Sequence, residues 1–145
     1  MTRIAVIGAS GFVGSAVVDA ARSAGHDTLL LSGPRLATAD TTHEDVITAL
    51  AAQLGDVDVV VNCAGNPDAS AARIEDLEAA NSVLPGVIGA AARRAAVPRY
   101  VHVSSAVVQG RLPVLDSSDR VDGFSPYARS KIGRASCRER VSTIV

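Results

Sequence analysis

Tyr127 and Lys131 stand one helical turn apart in the run Ser125-Pro126-Tyr127-Ala128-Arg129-Ser130-Lys131. At i and i+4 both side chains lie on one face of a helix, so the ammonium can approach the phenol. A nearby positive charge favours phenolate and lowers the tyrosine pKa, as general acid–base work near neutrality demands. The plainer alternative is a half-buried tyrosine with a chance lysine one turn on.

A second run carries chemistry at the other end of the chain. Gly8-Ala9-Ser10-Gly11-Phe12-Val13-Gly14 follows the apolar stretch Ile4-Ala5-Val6-Ile7 and precedes a helical pattern. Strand, glycine turn and helix in that order suit a dinucleotide pyrophosphate. Gly8 permits a tight turn, Gly11 lets the backbone approach the phosphates, and Gly14 lets the helix lie close to the strand. Ser10, Phe12 and Val13 fill the remaining cofactor-side places. The helix N-terminus offers free N–H groups and the positive end of its dipole. The spacing is G-x-x-G-x-x-G rather than the commoner G-x-G-x-x-G.

The elements that must position these groups alternate along the chain. Thr2–Ile7 reads as a buried first strand. Phe12, Val13, Ala16, Val17, Ala20, Ala21 and Ala24 then recur at helical spacing, with Gly25 just past the helix end. Asp27–Leu31 gives a second strand and Arg35–Ala39 a short third one. A helix follows, capped by Thr41 or Thr42, with the stripe Val46, Ile47, Leu50, Ala51, Leu54. Val57–Val61 is apolar on both faces and therefore central. Ser70 to Ala96 is helical, with Pro85-Gly86 expected to kink or break it. Tyr100–Val103 is another strand, closed by Ser104-Ser105, and Ser125-Pro126 opens the helix of Tyr127. Strands alternating with helices mean right-handed βαβ crossovers, an α/β fold with a doubly wound parallel sheet of Rossmann type.

Composition agrees. The 145 residues are 48% hydrophobic with only 3% aromatics, so the core must be Val, Ile, Leu and Ala. Alanine and valine in such numbers suit a sheet under closely packed helices. Fourteen basic and 15 acidic residues leave a net charge of −1 with no long run of one sign, which recommends neither nucleic acid nor an anionic membrane as partner. No apolar run is long enough to span a bilayer, and the chain opens on a strand rather than a signal peptide. Cys63 and Cys137 form neither a disulfide framework nor a metal-like spacing, and His26, His43 and His102 adjoin no ligand cluster, so no metal is expected. A cytoplasmic enzyme domain is the expectation.

Four motifs in register make the reading more specific. Gly8-x-x-Gly11-x-x-Gly14, Asn62-Cys63-Ala64-Gly65, Ser104-Ser105-Ala106-Val107-Val108-Gln109-Gly110 and Tyr127-Ala128-Arg129-Ser130-Lys131 resemble, in order and spacing, the extended short-chain dehydrogenase/reductases. These form the NAD-dependent epimerase/dehydratase family. The resemblance implies that Tyr127 exchanges a proton with a substrate hydroxyl or carbonyl. Ser105, five residues before Gly110, would hydrogen-bond that oxygen, and Lys131 would also touch the nicotinamide ribose. Ser104 is expected to satisfy local backbone instead. Gln109 departs from the pattern, because the family usually has tyrosine there.

Further cofactor-side positions follow from the same resemblance. Asp40, at the end of the third strand, matches an aspartate that binds the adenine amino group, or is simply a residue leading into the helix. Cys63, Ala64 and Gly65 leave the central strand at its carboxyl end, where cofactors lie in open α/β sheets. Gly65 would pass close to the adenine ribose, and Cys63 reads as a small buried filler. Asn81 matches an asparagine on the family's fourth long helix, or terminates its helix. At the end of the second strand the usual Asp or Glu for the ribose 2′-hydroxyl is replaced by Ser32-Gly33-Pro34-Arg35. No carboxylate would repel a 2′-phosphate and Arg35 could bind one, so NAD(P) binding leans to NADP.

The implied function is an NAD(P)-dependent oxidoreductase or epimerase/dehydratase acting on a secondary alcohol or carbonyl, with nucleotide-sugars among the substrates. A homodimer is the implied assembly. The rival is a dinucleotide-binding sensor without turnover on the same fold. Such sensors usually lose the tyrosine–lysine pair, and this chain keeps it. Residues 132–145, from Ile132-Gly133-Arg134 onward, read like a translated sequencing adapter. They carry charge where the helix of Tyr127 needs an apolar stripe. Residues 1–131 are therefore expected to be an incomplete NAD(P)-binding Rossmann domain, with 132–145 a non-native tail. The chain alone is expected to bind dinucleotide poorly and to turn nothing over.

Overall fold

Four short runs rich in Val, Ile and Leu pair side by side, all parallel, in the order β2-β1-β3-β4. They are β1 (Arg3–Ile7), β2 (Asp27–Leu31), β3 (Val59–Asn62) and β4 (Arg99–His102). These come from a computed structural model, which describes residues 1–36, 40–68, 70, 73–116, 118 and 120–133. Ile7 pairs with both Leu31 and Asn62, and Asn62 with His102, so the strands reach their carboxyl ends along one line. Every strand therefore releases its loop on the same edge of the sheet. β3 is central, as its two apolar faces predict.

Among the described residues five α-helices accompany the sheet: α1 (Phe12–Ser23), α2 (His43–Gln53), α3 (Ile74–Glu78), α4 (Leu84–Arg94) and α5 (Pro126–Ile132). Ala5, Ile7 and Val60 of the sheet meet Leu50, Leu54, Leu84, Ile88 and Ala91 of the α2–α4 side in one buried cluster. Val6, alternating to the opposite face, is fully buried where α1 packs on β1 and β2. The result is a Rossmann-like layer of helix, sheet and helix. No helix among the described residues is long and apolar enough to cross a membrane.

Three local expectations need correction. In α1 the buried side chains are Val18 and Ala21, next to Gly14, whereas Phe12 is 95% exposed and Val13, Ala16, Ala20 and Ala24 also face outward. The third strand is not seen: Arg35 and Leu36 have irregular backbone, and the rest of that run, 37–39, lies outside the described residues. Asp40 sits exposed in a turn, with Thr41 in an isolated bridge. The helix foreseen from Ser70 starts at Ile74, with Arg73 as its cap residue.

Pro85 does not end that helical run. A π-helical turn, Ala79–Val83, joins α3 to α4, and Pro85 falls in the first turn of α4. Proline has no N–H to give there, and a first-turn N–H has no necessary partner in any case. The wider turn carries Asn81 into the interior, where it is 2% exposed. The cap of α2 resolves to Thr42, whose Oγ1 accepts from the Asp45 N–H while Asp45 accepts from the Thr42 N–H. Thr42→Ala is expected to lower stability by about 1 kcal/mol in urea denaturation, since the Oγ1 bonds to Asp45 are lost while the backbone N–H bond to the Asp45 carboxylate remains.

Candidate functional site

The glycine turn is built by close approach. Gly8 takes φ +81°, and its N–H donates to the Leu31 carbonyl at 2.8 Å. A Cβ on Gly8 would lie 2.8 Å from the Ala64 backbone nitrogen, and one on Gly14 would overlap the Gly8 carbonyl oxygen. No side chain could stand at either position without parting α1 from β1, or β1 from β3. Gly11 is the N-cap residue of α1 and no side chain caps the helix. The first N–H groups of α1 are thus left for another partner. Ser10, Gly11 and Phe12 are exposed at this end.

The carboxyl end of β3 faces that turn. Asn62 is fully buried, and its amide is completely engaged. Its Oδ1 accepts from the Ala64 N–H at 2.9 Å, which fixes the orientation of the group. Its Nδ2 donates to the Tyr100 hydroxyl at 3.3 Å and lies 3.2 Å from His102 Nδ1. Tyr100 in turn donates to the Pro85 carbonyl at 3.1 Å. With its nitrogen donating, Asn62 requires an unprotonated His102 Nδ1, which places the imidazole proton on Nε2. Burying an amide is costly unless every polar atom finds a partner, and this network supplies them.

Burial, assisted by the Lys131 charge, pushes the His102 pKa down to about 4. The unfolded chain then binds more protons than the folded one as acidity rises from the ordinary histidine pKa. The stabilising effect is fully present above about pH 6.5 and is lost as pH falls through about 4. On the order of 3 kcal/mol should disappear over that window. Urea denaturation between pH 7 and pH 4 should show a much shallower loss for His102→Gln than for the wild type. Equal slopes would remove His102 from the account.

Lys131 reaches the same region from α5. A Cβ on Gly65 would lie 3.0 Å from Lys131 Nζ and 2.9 Å from Asn81 Oδ1, so these groups converge over the end of β3. Lys131 Nζ also stands 5.9 Å from the centroid of the Tyr127 ring. Burial pushes the Lys131 pKa down, and it pushes the Cys63 thiol up, away from thiolate. Asn81 Oδ1 accepts from the Asn66 N–H at 2.8 Å, and its Nδ2 donates to the Asn66 carbonyl at 3.0 Å and to Ser130 Oγ at 3.1 Å. Ser130 Oγ donates to the Tyr127 carbonyl at 2.8 Å. Asn81 is thus a buried brace between the β3 loop and α5, not a helix terminator.

Ser105 caps a short 3-10 turn, Ala106–Gln109, which packs against α5. Its Oγ accepts from the Val107 N–H at 3.3 Å, so the local backbone bond expected of Ser104 belongs to Ser105. The structure therefore gathers Gly65, Asn81, Tyr127 and Lys131 closely, with the Ser105 turn against the same helix. Arg35 and Asp40 stand apart, exposed, beyond the end of β2. Sequence reasoning missed Asn62, Asn66, His102 and Ser130. Asn62 and Ser130 were signalled only by lying within two of the motifs, Asn62–Gly65 and Tyr127–Lys131.

Comparison with known proteins extends the picture. The chain is 32% identical over 135 residues to a dTDP-4-dehydrorhamnose reductase of Mycolicibacterium smegmatis, covering 90% of this chain and 39% of that protein. Among solved structures, MoeE5 in complex with UDP-glucose and NAD superposes with a TM-score of 0.74 at 25% identity, over 90% of this chain and 46% of the other. The UDP-N-acetylglucosamine 4-epimerase of Bacillus cereus gives 0.72 at 24% identity, over 91% and 48%. The chain thus spans less than half the length of these relatives. A family model, that of the NAD dependent epimerase/dehydratase family, matches residues 4–140. With that match covering nearly the whole chain, and with the same parallel fold in the relatives, the protein belongs to the NAD dependent epimerase/dehydratase family.

Proposed function

We propose that this chain supplies the dinucleotide-binding and proton-transfer half of an NAD(P)-dependent epimerase, dehydratase or reductase of nucleotide-sugars. The observation that carries the reading is the convergence of Lys131 and Asn81 on Gly65, with the Tyr127 ring beside Lys131, on the sheet edge that also bears the glycine turn. A bound dinucleotide supplies hydride chemistry. Gly8, Ser10, Gly11, Phe12, Val13 and Gly14 would hold its pyrophosphate through the free N–H groups of α1. Cys63, Ala64, Gly65 and Asn81 would line its path along the sheet edge, and Asp40 would reach its adenine end.

Tyr127 then gives or takes the proton of the substrate hydroxyl, with Ser105 hydrogen-bonding the same oxygen. Lys131 holds positive charge beside the phenol and contacts the ribose. MoeE5 was solved with UDP-glucose and NAD, which supports a nucleotide-sugar as substrate class and a nicotinamide dinucleotide as cofactor. Retention of Tyr127 and Lys131 favours turnover over a sensor. Calorimetric titration of dinucleotides, followed by nucleotide-sugar turnover assays with Tyr127→Phe as control, tests the reading.

NADP is the proposed choice of dinucleotide. Ser32 stands where an acidic residue would reject a 2′-phosphate, and the exposed Arg35 beyond it is free to approach one. NADPH should bind more tightly than NADH, and Arg35→Ala should narrow the difference. Tighter binding of NADH by the wild type would overturn this choice.

A further inference from the structure

Gln109, which closes the 3-10 turn begun by Ser105, is a polar side chain buried at 6% exposure. Every polar atom of its side chain is engaged by the loop that follows. Its Nε2 donates to the Asp116 carbonyl at 2.8 Å, and to Asp116 Oδ1 and the Ser118 carbonyl, each at 3.3 Å. Its Oε1 accepts from the Asp116 N–H at 3.0 Å. Asp116 Oδ1 also accepts from the Ser118 N–H at 2.9 Å, which closes the turn on itself.

That loop, whose described residues are 111–116, 118 and 120–124, lies on the covalent connection between Ser105 and Tyr127. Its return stroke is tied at two more points. The Asp122 N–H donates to the Val108 carbonyl at 2.8 Å, and Arg129 of α5 donates to the Gly123 carbonyl at 2.9 Å. Ser125 then caps α5, its Oγ accepting from the Ala128 N–H at 3.1 Å. One bonded path thus runs from the Ser105 turn through Gln109 and the loop to the helix of Tyr127.

We infer that Gln109 is a positioning residue, whose amide clamps the Arg111–Phe124 loop and thereby holds the Tyr127 helix against the Ser105 turn. The inference rests on the reading of Ser105 and Tyr127 as the proton-transfer pair. An amide suits the position because its neighbours are mixed: one N–H to accept from, and two carbonyls and a carboxylate to donate to. A leucine of similar size would strip the Asp116 N–H and the Asp116 and Ser118 carbonyls of these bonds and leave Asp116 Oδ1 only the Ser118 N–H. A glutamate would present a carboxylate to the Asp116 carboxylate, on which the Arg120 charge also acts, with the Arg111–Asp122 pair nearby. Protonated, that glutamate could again accept from the Asp116 N–H and donate to its carbonyl.

Hydrogen exchange and turnover of Gln109→Leu and Gln109→Glu in the intact chain test this. Gln109→Leu should speed exchange about tenfold or more at Asp116, Ser118, Asp122 and Ala128, while Gly8 and Cys63 stay protected. Its kcat should fall about tenfold or more with dinucleotide affinity unchanged. Gln109→Glu should behave likewise at neutral pH and recover as its carboxyl protonates. Faster exchange at Asp116 and Ser118 with Ala128 unaffected would reduce Gln109 to a local staple and overturn the inference, as would an unchanged kcat. Absence of turnover in the wild type, the outcome expected of these 145 residues alone, would leave the Ala128 amide to decide the clamp. If Gln109→Leu unfolds, exposing Gly8 and Cys63, the acid recovery of Ala128 protection in Gln109→Glu decides it.

Discussion

Gly11→Val is expected to weaken dinucleotide binding about tenfold or more while leaving the melting temperature almost unchanged. Gly11 has φ −77° and ψ 167°, extended backbone that valine adopts without strain. A Cβ there meets only the Gly8 carbonyl oxygen, at 3.3 Å, which asks for an adjustment of a few tenths of an ångström. The rest of the branched side chain would stand over the uncapped end of α1, in the space assigned to the pyrophosphate. Tenfold corresponds to about 1.4 kcal/mol, a modest demand for two methyl groups displacing a phosphate from its N–H donors. Gly14→Ala is the necessary contrast. Its Cβ would overlap the Gly8 carbonyl, so that variant should lose stability itself, with a clear fall in melting temperature. Unaltered affinity of Gly11→Val in a calorimetric titration would remove the glycine turn from the cofactor site.

The second large effect is at Tyr127. In a protein completed to the length of its relatives, Tyr127→Phe should lower nucleotide-sugar turnover by roughly 10²–10⁴-fold, the span that a positioned acid–base group contributes. The fold should not notice. Among the described residues the Tyr127 hydroxyl has no hydrogen-bond partner, whereas the backbone of α5 is held by Ser125 below and by Ser130 and Asn81 behind. Dinucleotide affinity should stay within about threefold, because phenylalanine keeps the ring beside Lys131. Lys131→Met should reduce both turnover and dinucleotide affinity, since its ammonium serves the phenol and the ribose together. A Tyr127→Phe rate within about threefold of wild type would refute the assigned proton transfer.

Much of this architecture was legible from residues alone. β1, β2 and β4 were foreseen to within a residue or so, because short apolar runs bounded by turns have few alternatives in a chain of this composition. The four motifs located the glycine turn, the end of β3, the Ser105 turn and the helix of α5; the structure brings Lys131 of α5 over Gly65 at the end of β3 and packs the Ser105 turn on the same helix. The central place of β3 followed from its two apolar faces.

What needed the tertiary structure was rotation, depth and pairing between distant segments. The face of α1 is an example. Its apolar residues circle most of the helix, so hydrophobicity could not choose a side. The contact of Gly14 with the Gly8 carbonyl turns Val18 and Ala21, one and two turns on, toward the sheet and leaves Phe12 and Ala16 outside. Pro85 is another. Local rules make it a helix breaker, yet a π-helical turn just before it brings Asn81 inward to bond Asn66 and Ser130. The network of Asn62, Tyr100 and His102 joins residues 38 and 40 positions apart. Such pairings leave no periodic trace, because each depends on which strand lies beside which. The residue types at the site were written in local spacing; their burial and partners were decided by the parallel order of the sheet, which alone sets Asn62 between Ile7 and His102.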